Sequence, residues 1–320
     1  MTRVDSHLHV GFEGFGPKEL ITYLDRGGFD RCWLLSWEEV DPGAWPYEHL
    51  RPESIFEIWQ RFPDRIVPMY APDPHRVDAG QRLADWCSRG FLGCAELKTT
   101  LNWESSEVNN LLETVAELRI PVVFHMQALR RHVEPFPDDG PIEKILAKMM
   151  RTRQFGYLPH KLVNQITERV APMKRWRDRR SYLLSYLLDF ASLGETLEKF
   201  PGVAFVAHGP MWWQHLEDGA DSEAPVYPKG SVRAEGLACR FLERYPNLFA
   251  DISGRSGFNA LHRDQDFAKR FLEKFNGKIL FGTDNDVCGH AEFIDSLGMG
   301  KEVKKRIFGL NSRDVLEFSG

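Results

Sequence analysis

Eight short runs rich in β-forming residues recur along the chain, and most are apolar almost to their last residue. They are RVDSHLHV (3–10), RCWLLS (31–36), RIVPMYA (65–71), FLGCAELK (91–98), IPVVFHM (120–126), VAFVAHG (203–209), NLFADIS (247–253) and KILFGTD (278–284). A strand with one face in water alternates apolar and polar residues. A near-continuous apolar run instead marks a parallel strand covered on both faces. Amphipathic segments of helical length fall between the runs, at 17–26, 79–88, 108–119, 232–244 and 264–275. The first starts at Pro17 and stops before Gly27-Gly28, the start and stop signals of a helix. Alternating strand and helix implies βαβ units, and eight of them favour a closed α/β fold, the (β/α)8 TIM barrel, over an open sheet. With 320 residues and no Gly/Ser linker, residues 1–320 read as a single domain.

The spacing of the runs carries a second message. From His9 to Ser36, Tyr70, Lys98 and His125, successive strand ends lie 27, 34, 28 and 27 residues apart, whereas the step from His125 to His208 is 83. Roughly 50 residues are therefore inserted after the fifth strand, within 127–180. The insert is basic, and it reads as a helical segment that covers the barrel mouth or packs on a second subunit. A nucleic-acid surface is a poor reading of it, because the whole chain carries a net charge of −5 and no binding motif accompanies the basic residues.

Polar residues break the apolar pattern at the C-terminal ends of the same strands. The first ends in His7 and His9, the fourth in Glu96 and Lys98, the fifth in His125, the sixth in His208 and the eighth in Asp284. Residues i and i+2 of a strand share a face, so His7 and His9 present two imidazoles about 7 Å apart along the backbone. A lone histidine is more often a satisfied core residue than a ligand, and an aspartate before Asn285 could simply cap a turn. In a barrel, however, all these ends meet on one rim, and five separate accidents there are a poor explanation.

Three imidazoles and a carboxylate suit zinc first among the divalent first-row metals. If the four are His7, His9, His125 and Asp284, then His208 stands beside the ion as an acid or base. Such a metal lowers the pKa of its water from 15.7 to about 7. Trp212 and Trp213 follow the sixth strand and are candidates to line a pocket. Trp103, Arg130, Arg131 and His132 follow strands four and five and are candidates to bind an anionic substrate. Arg255 and His290 lie past the last two strands, on the same rim, whereas His49, His75, His160, His215 and His262 have no strand-end placement.

The chain resembles the amidohydrolase superfamily, in the amidohydrolase-related branch that includes aminocarboxymuconate-semialdehyde decarboxylase and several lactone hydrolases. The likeness runs through VDSHLHV, GFLGCAELK, PVVFHM, LEKFPGVAFVAHG, FLERYPNLFADISG, KILFGTDND and KKRIFGLNSRDVL, in that order. It implies metal ligation by His7, His9, His125 and Asp284, with His208 as the catalytic histidine near the metal; the chemistry of metal-bound water separately makes Asp284 a candidate proton acceptor. Many amidohydrolases bridge two metals with a carboxylated lysine or a glutamate after strand four. Glu96 and Lys98 stand there, either as a bridge to a second metal or, for Lys98, as a partner for a substrate carboxylate.

Two reactions fit these residues. The leading one is metal-dependent hydrolysis of a lactone, amide or ester-like bond by activated water, and the alternative is non-oxidative decarboxylation of an unsaturated or aromatic acid. The partner expected is a small-molecule substrate, with a homo-oligomer as an option. Cysteines 32, 87, 94, 239 and 288 form no CxxC pair and read as reduced thiols. No basic-then-apolar leader and no run of 18 apolar residues is found, which points to a cytoplasmic protein with no membrane span.

Overall fold

The computed structural model describes residues 2–11, 15–38, 50–99, 101–126, 190–220, 227–286 and 289–318. The expected helical insert at 127–180 lies outside the described residues, as do Arg130, Arg131, His132, His49, His160 and Cys288. Eight parallel strands follow in order: β1 (Val4–Leu8), β2 (Arg31–Trp37), β3 (Ile66–Ala71), β4 (Cys94–Leu97), β5 (Val122–His125), β6 (Phe205–His208), β7 (Leu248–Asp251) and β8 (Ile279–Leu280). They pair as β1-β2-β3 and as β4-β5-β6-β7-β8. Backbone hydrogen bonds bridge both seams: Tyr70 N–H donates to the Gly93 carbonyl (3.1 Å) and Ser6 N–H to the Phe281 carbonyl (2.8 Å). The fold is the (β/α)8 barrel that the alternating pattern predicts.

Helices cover the outside. The segment Pro17–Gly27 is helical as its signals require, with Gly28 at φ 64° in the left-handed conformation that ends it. Helices at Ala79–Ser88, Ser106–Leu118 and Gln265–Lys274 also match their sequence patterns. The expected helix at 232–244 begins only at Leu237, because the backbone of Gly236 is extended there. Helices at Pro52–Arg61, Phe190–Lys199 and Gly254–His262 had no counterpart in the sequence reading.

Apolar side chains divide between two places. Outward-facing residues such as Leu34, Val122, Phe124, Phe205 and Leu248 pack under the helices in one large core. Inward-facing residues, including Val4, Trp33, Val67, Val123, Val206, Phe249 and Leu280, fill the barrel itself, with Val315 against them. Cys32, Cys94 and Cys239, which are buried, and the half-buried Cys87 carry free thiols. Among the described residues, no helix is long and apolar enough to cross a membrane.

Irregular register in two strands aims side chains into the upper end. Pairing shifts between Asp5 and Leu8 on β1, and between Cys94 and Leu97 on β4. A shift of this kind changes which face a side chain takes, and such irregularities gather beside functional sites. The result on β4 is that Ala95 joins the inner core while Glu96, its neighbour, also sits inside among the histidines.

Candidate metal centre

His9 sets the chemistry of the cluster. Its Nδ1 lies 3.0 Å from the Leu35 carbonyl oxygen, which can only accept, so Nδ1 carries the proton and donates. Neutral His9 therefore turns a bare Nε2 lone pair toward the barrel axis. Around that nitrogen stand His7 Nε2 at 3.2 Å, Asp284 Oδ1 at 3.1 Å and Glu96 Oε2 at 3.5 Å. Acceptors brought this close repel one another unless a cation or a shared proton lies among them. That donor set could hold a metal ion.

Glu96 links the two sides of the cluster. Its Oε2 is 3.6 Å from His7 Nε2, and its Oε1 is 2.6 Å from His125 Nδ1 and 3.7 Å from His208 Nε2. Three overlapping sets have donor atoms within 4.8 Å of one another: His7, His9 and Glu96; Glu96, His125 and His208; and His7, His208 and Asp284. His7, His9, His125, His208 and Asp284, expected at strand ends, meet here, and Glu96 stands among them.

Lys98 lies 2.9 Å from Glu96 Oε2 and 3.4 Å above the centroid of the Trp37 ring, so one ammonium balances the carboxylate and rests on an aromatic face. Burial would raise the Glu96 pKa, but Lys98 and His125 hold it well below the carboxylate range. Burial likewise opposes ionisation of Asp284, and the His9, His7 and His208 imidazoles around it keep it low. Burial lowers His7, yet the Asp251 and Glu96 carboxylates together raise it well above its ordinary value. Burial lowers His9 and His125. Without a metal, His7 is therefore a favoured place for a proton.

The loop after β8 supplies Asp284 and anchors it. Asp284 and Asn285 have φ of 52° and 58°, in the left-handed region that few non-glycine residues adopt. Asn285 offsets that cost by copying a strand pair: its Oδ1 accepts from His9 N–H (2.9 Å) and its Nδ2 donates to the His9 carbonyl (3.0 Å). Gly254 also has φ of 68°, and a Cβ there would lie 3.1 Å from Asp284 Oδ2. The side chain of Asp284 remains 28% exposed, so the cluster opens toward solvent on this side.

Asp251, which ends β7 inside the ADISG motif, escaped the sequence reading. It is fully buried, with Oδ2 2.9 Å from His7 Nδ1 and Oδ1 3.0 Å from His208 Nδ1. A usable signal existed: LFAD breaks its apolar run at the strand end, as the histidine strands do. Glu38, just past β2, was also missed; it accepts from the Tyr70 hydroxyl at 2.7 Å and from Arg82, tying that rim position to its neighbours.

The expectations for Trp103, Trp212 and Trp213 fall away. Trp212 and Trp213 are core residues: Trp212 stacks on Phe190 at 5.6 Å, and Trp213 donates its indole N–H to the Asp251 carbonyl at 3.1 Å. Trp103 is buried edge-on against Phe124 at 5.0 Å and is not placed to meet an anion. Arg255 pairs with Asp286 at 3.1 Å, with two-thirds of its side chain exposed. His290 is buried and lies 3.1 Å from the Gly254 carbonyl through Nε2. His215 is buried beside Phe190 instead of lying at the surface.

A family model described as amidohydrolase matches residues 4–318. The chain belongs to the amidohydrolase family. Its structure is similar to a probable 2-pyrone-4,6-dicarboxylic acid hydrolase of Acinetobacter baumannii solved with citric acid bound, with a TM-score of 0.56 and 14% identity over 99% of this chain and 100% of that one. An uncharacterised TIM-barrel protein of Bordetella bronchiseptica gives a TM-score of 0.58 at 12% identity, covering 99% of both chains. A dihydroxybenzoic acid decarboxylase of Polaromonas sp. JS666, with bound manganese and the inhibitor 2-nitroresorcinol, gives 0.51 at 14% identity over 99% of this chain and 97% of that one. At these identities the likeness speaks for the barrel alone. No curated protein sequence matches this amidohydrolase significantly.

Proposed function

We propose that this amidohydrolase is a metal-dependent hydrolase that opens a lactone, amide or ester-like bond of a small molecule. The observation that carries the reading is the ring of lone pairs in which His9 Nε2, His7 Nε2, Glu96 and Asp284 face one another. In a one-ion arrangement His7, His9, His125 and Asp284 would hold the metal and His208 would serve as the acid or base. In a two-ion arrangement Glu96 would bridge, with His7 and His9 on one side and His125 and His208 on the other; the position of Glu96 between both pairs supports this second form. A divalent cation, zinc first for this nitrogen and oxygen set, would polarise the scissile carbonyl and acidify water at neutral pH.

The protein's own groups then have separate tasks. Asp284, held ionised and partly open to solvent, accepts the proton that water gives up. His208 Nε2, 3.8 Å from Asp284 Oδ2, can take up that proton and pass it to the leaving group. Lys98 restrains Glu96 and keeps the cluster from accumulating excess negative charge. The buried Lys98 ammonium also supports the second reading, non-oxidative decarboxylation, because it could attract a substrate carboxylate. The fold is shared by the hydrolase of Acinetobacter and the decarboxylase of Polaromonas and does not choose between them.

Metal-replete protein assayed in ¹⁸O-labelled water against lactones, esters, amides and hydroxybenzoates separates the two. Label in the product acid is the expected result; release of carbon dioxide without label would replace the hydrolase reading with the decarboxylase one. Elemental analysis of the same sample counts the ions, and a sample with no metal would remove the metal-dependent reading altogether.

A further inference from the structure

A single buried carboxylate touches both halves of the cluster. Asp251 Oδ2 is 2.9 Å from Nδ1 of His7, and Oδ1 is 3.0 Å from Nδ1 of His208. The remaining capacity of Oδ1 is taken by Ser253, through its backbone N–H at 3.0 Å and through its hydroxyl. Trp213 holds the Asp251 carbonyl from behind. The carboxylate thus has fixed partners on each oxygen and a fixed main chain, and none of those partners is solvent. An ionised carboxylate only accepts, so each imidazole must point an N–H at it. Each ring then turns its Nε2 lone pair toward Glu96 and Asp284.

We infer that Asp251 is the positioning residue of the site, one carboxylate that sets the tautomer of His7 and His208 together. The proposal rests on the metal-dependent reading above and deepens it. A histidine that holds a metal ordinarily donates its other N–H to a carboxylate or carbonyl, which fixes the ring and raises its basicity. In this chain one such group serves two rings on different strands, β1 and β6, so the metal-holding side and the proton-moving side share a support. An amide at 251 cannot repeat this. Asparagine offers one accepting oxygen and one donating nitrogen, so one of the two rings must move its proton to Nε2 and lose the lone pair that faces the cluster.

The test uses Asp251→Asn, which keeps the volume and most of the packing. Zinc affinity is measured by competition with a chromophoric chelator, and two-bond ¹H–¹⁵N spectra of ¹⁵N-histidine-labelled protein read the tautomers. Single His7→Gln and His208→Gln variants assign the two rings. Expected results are Nδ1–H on both rings of the zinc-loaded wild type, conversion of one ring to Nε2–H in Asp251→Asn, and a loss of zinc affinity of about 10- to 100-fold. Ser253→Ala should keep both rings Nδ1-protonated, because the carboxylate is intact. Wild-type affinity with unchanged tautomers in Asp251→Asn would overturn the proposal. An Nε2–H on His208 of the wild type would overturn it too, and that reading survives even where Asp251→Asn fails to fold. A wild-type protein that binds no zinc would refute the metal reading, while the tautomer of His208 would still decide the role of Asp251.

Discussion

Val123, Val206 and Phe249 lie two residues below His125, His208 and Asp251 on β5, β6 and β7, and the two layers have opposite chemistry. Residues two apart on a strand share a face, so both layers point into the barrel. The lower layer is apolar, closed from beneath by Val315, with Phe318 edge-on to Phe249 at 5.9 Å. Its atoms ask only for volume. The upper layer asks for polar partners, and its Nδ1 atoms and carboxylates find them in Leu35, Asp251, Ser253 and Lys98, while the Nε2 atoms of His7 and His9 face each other. One layer holds the strands together, and the next spends that rigidity on keeping acceptors close that would otherwise drift apart.

Replacing His7 with alanine should break the comparison most severely. Metal-replete expression should then yield protein without an ion in elemental analysis. Turnover should fall by more than the roughly 10²- to 10⁴-fold expected when a single acid or base is lost. Retained metal and turnover would move the centre away from His7. One layer down, Phe249→Ala should cost about 3–5 kcal/mol in chemical denaturation through the cavity it leaves. Its metal content should not change, and loss of metal there would show that the layers are not separable.

Acid sharpens the contrast further. In metal-free protein Asp251, Glu96 and Asp284 all titrate below the usual carboxylate range: burial opposes this, and the His208 and His7 rings outweigh it at Asp251. A group whose folded pKa is depressed gives stability that is present above its unfolded value, near 4, and lost as pH falls toward its folded value. Denaturation midpoints should therefore fall steeply with acid in that window. Asp251→Asn should make that fall shallower, whereas Phe249→Ala should lower the whole curve with its slope unchanged. Equal slopes in wild type and Asp251→Asn would contradict the depressed carboxylate. The smallest effect is expected at Gly254, where alanine must take a φ of 68° and press on Asp284 Oδ2. About 1–2 kcal/mol of stability should go, with a severalfold loss of turnover and full metal content.

Much of this was legible in the chain itself. The alternation of apolar runs and amphipathic segments implied parallel strands covered on both faces, and eight such units favoured a closed barrel over an open sheet. The motifs also placed His7, His9, Glu96, Lys98, His125, His208 and Asp284 on one rim, since strand ends of a barrel must converge. Trp103, Trp212 and Trp213 looked like rim residues for the same reason and are core, because position after a strand does not say which way a side chain turns.

What only the tertiary structure decided was pairing across strands. Register shifts on β1 and β4 brought Glu96 to the centre beside the inward histidines, and a shift of register is a property of two strands together. Asp251 is an ordinary strand-end aspartate in sequence, 244 residues from His7. Its importance lies in which nitrogens it faces, and hydrogen-bond direction between distant residues exists only after the barrel has closed.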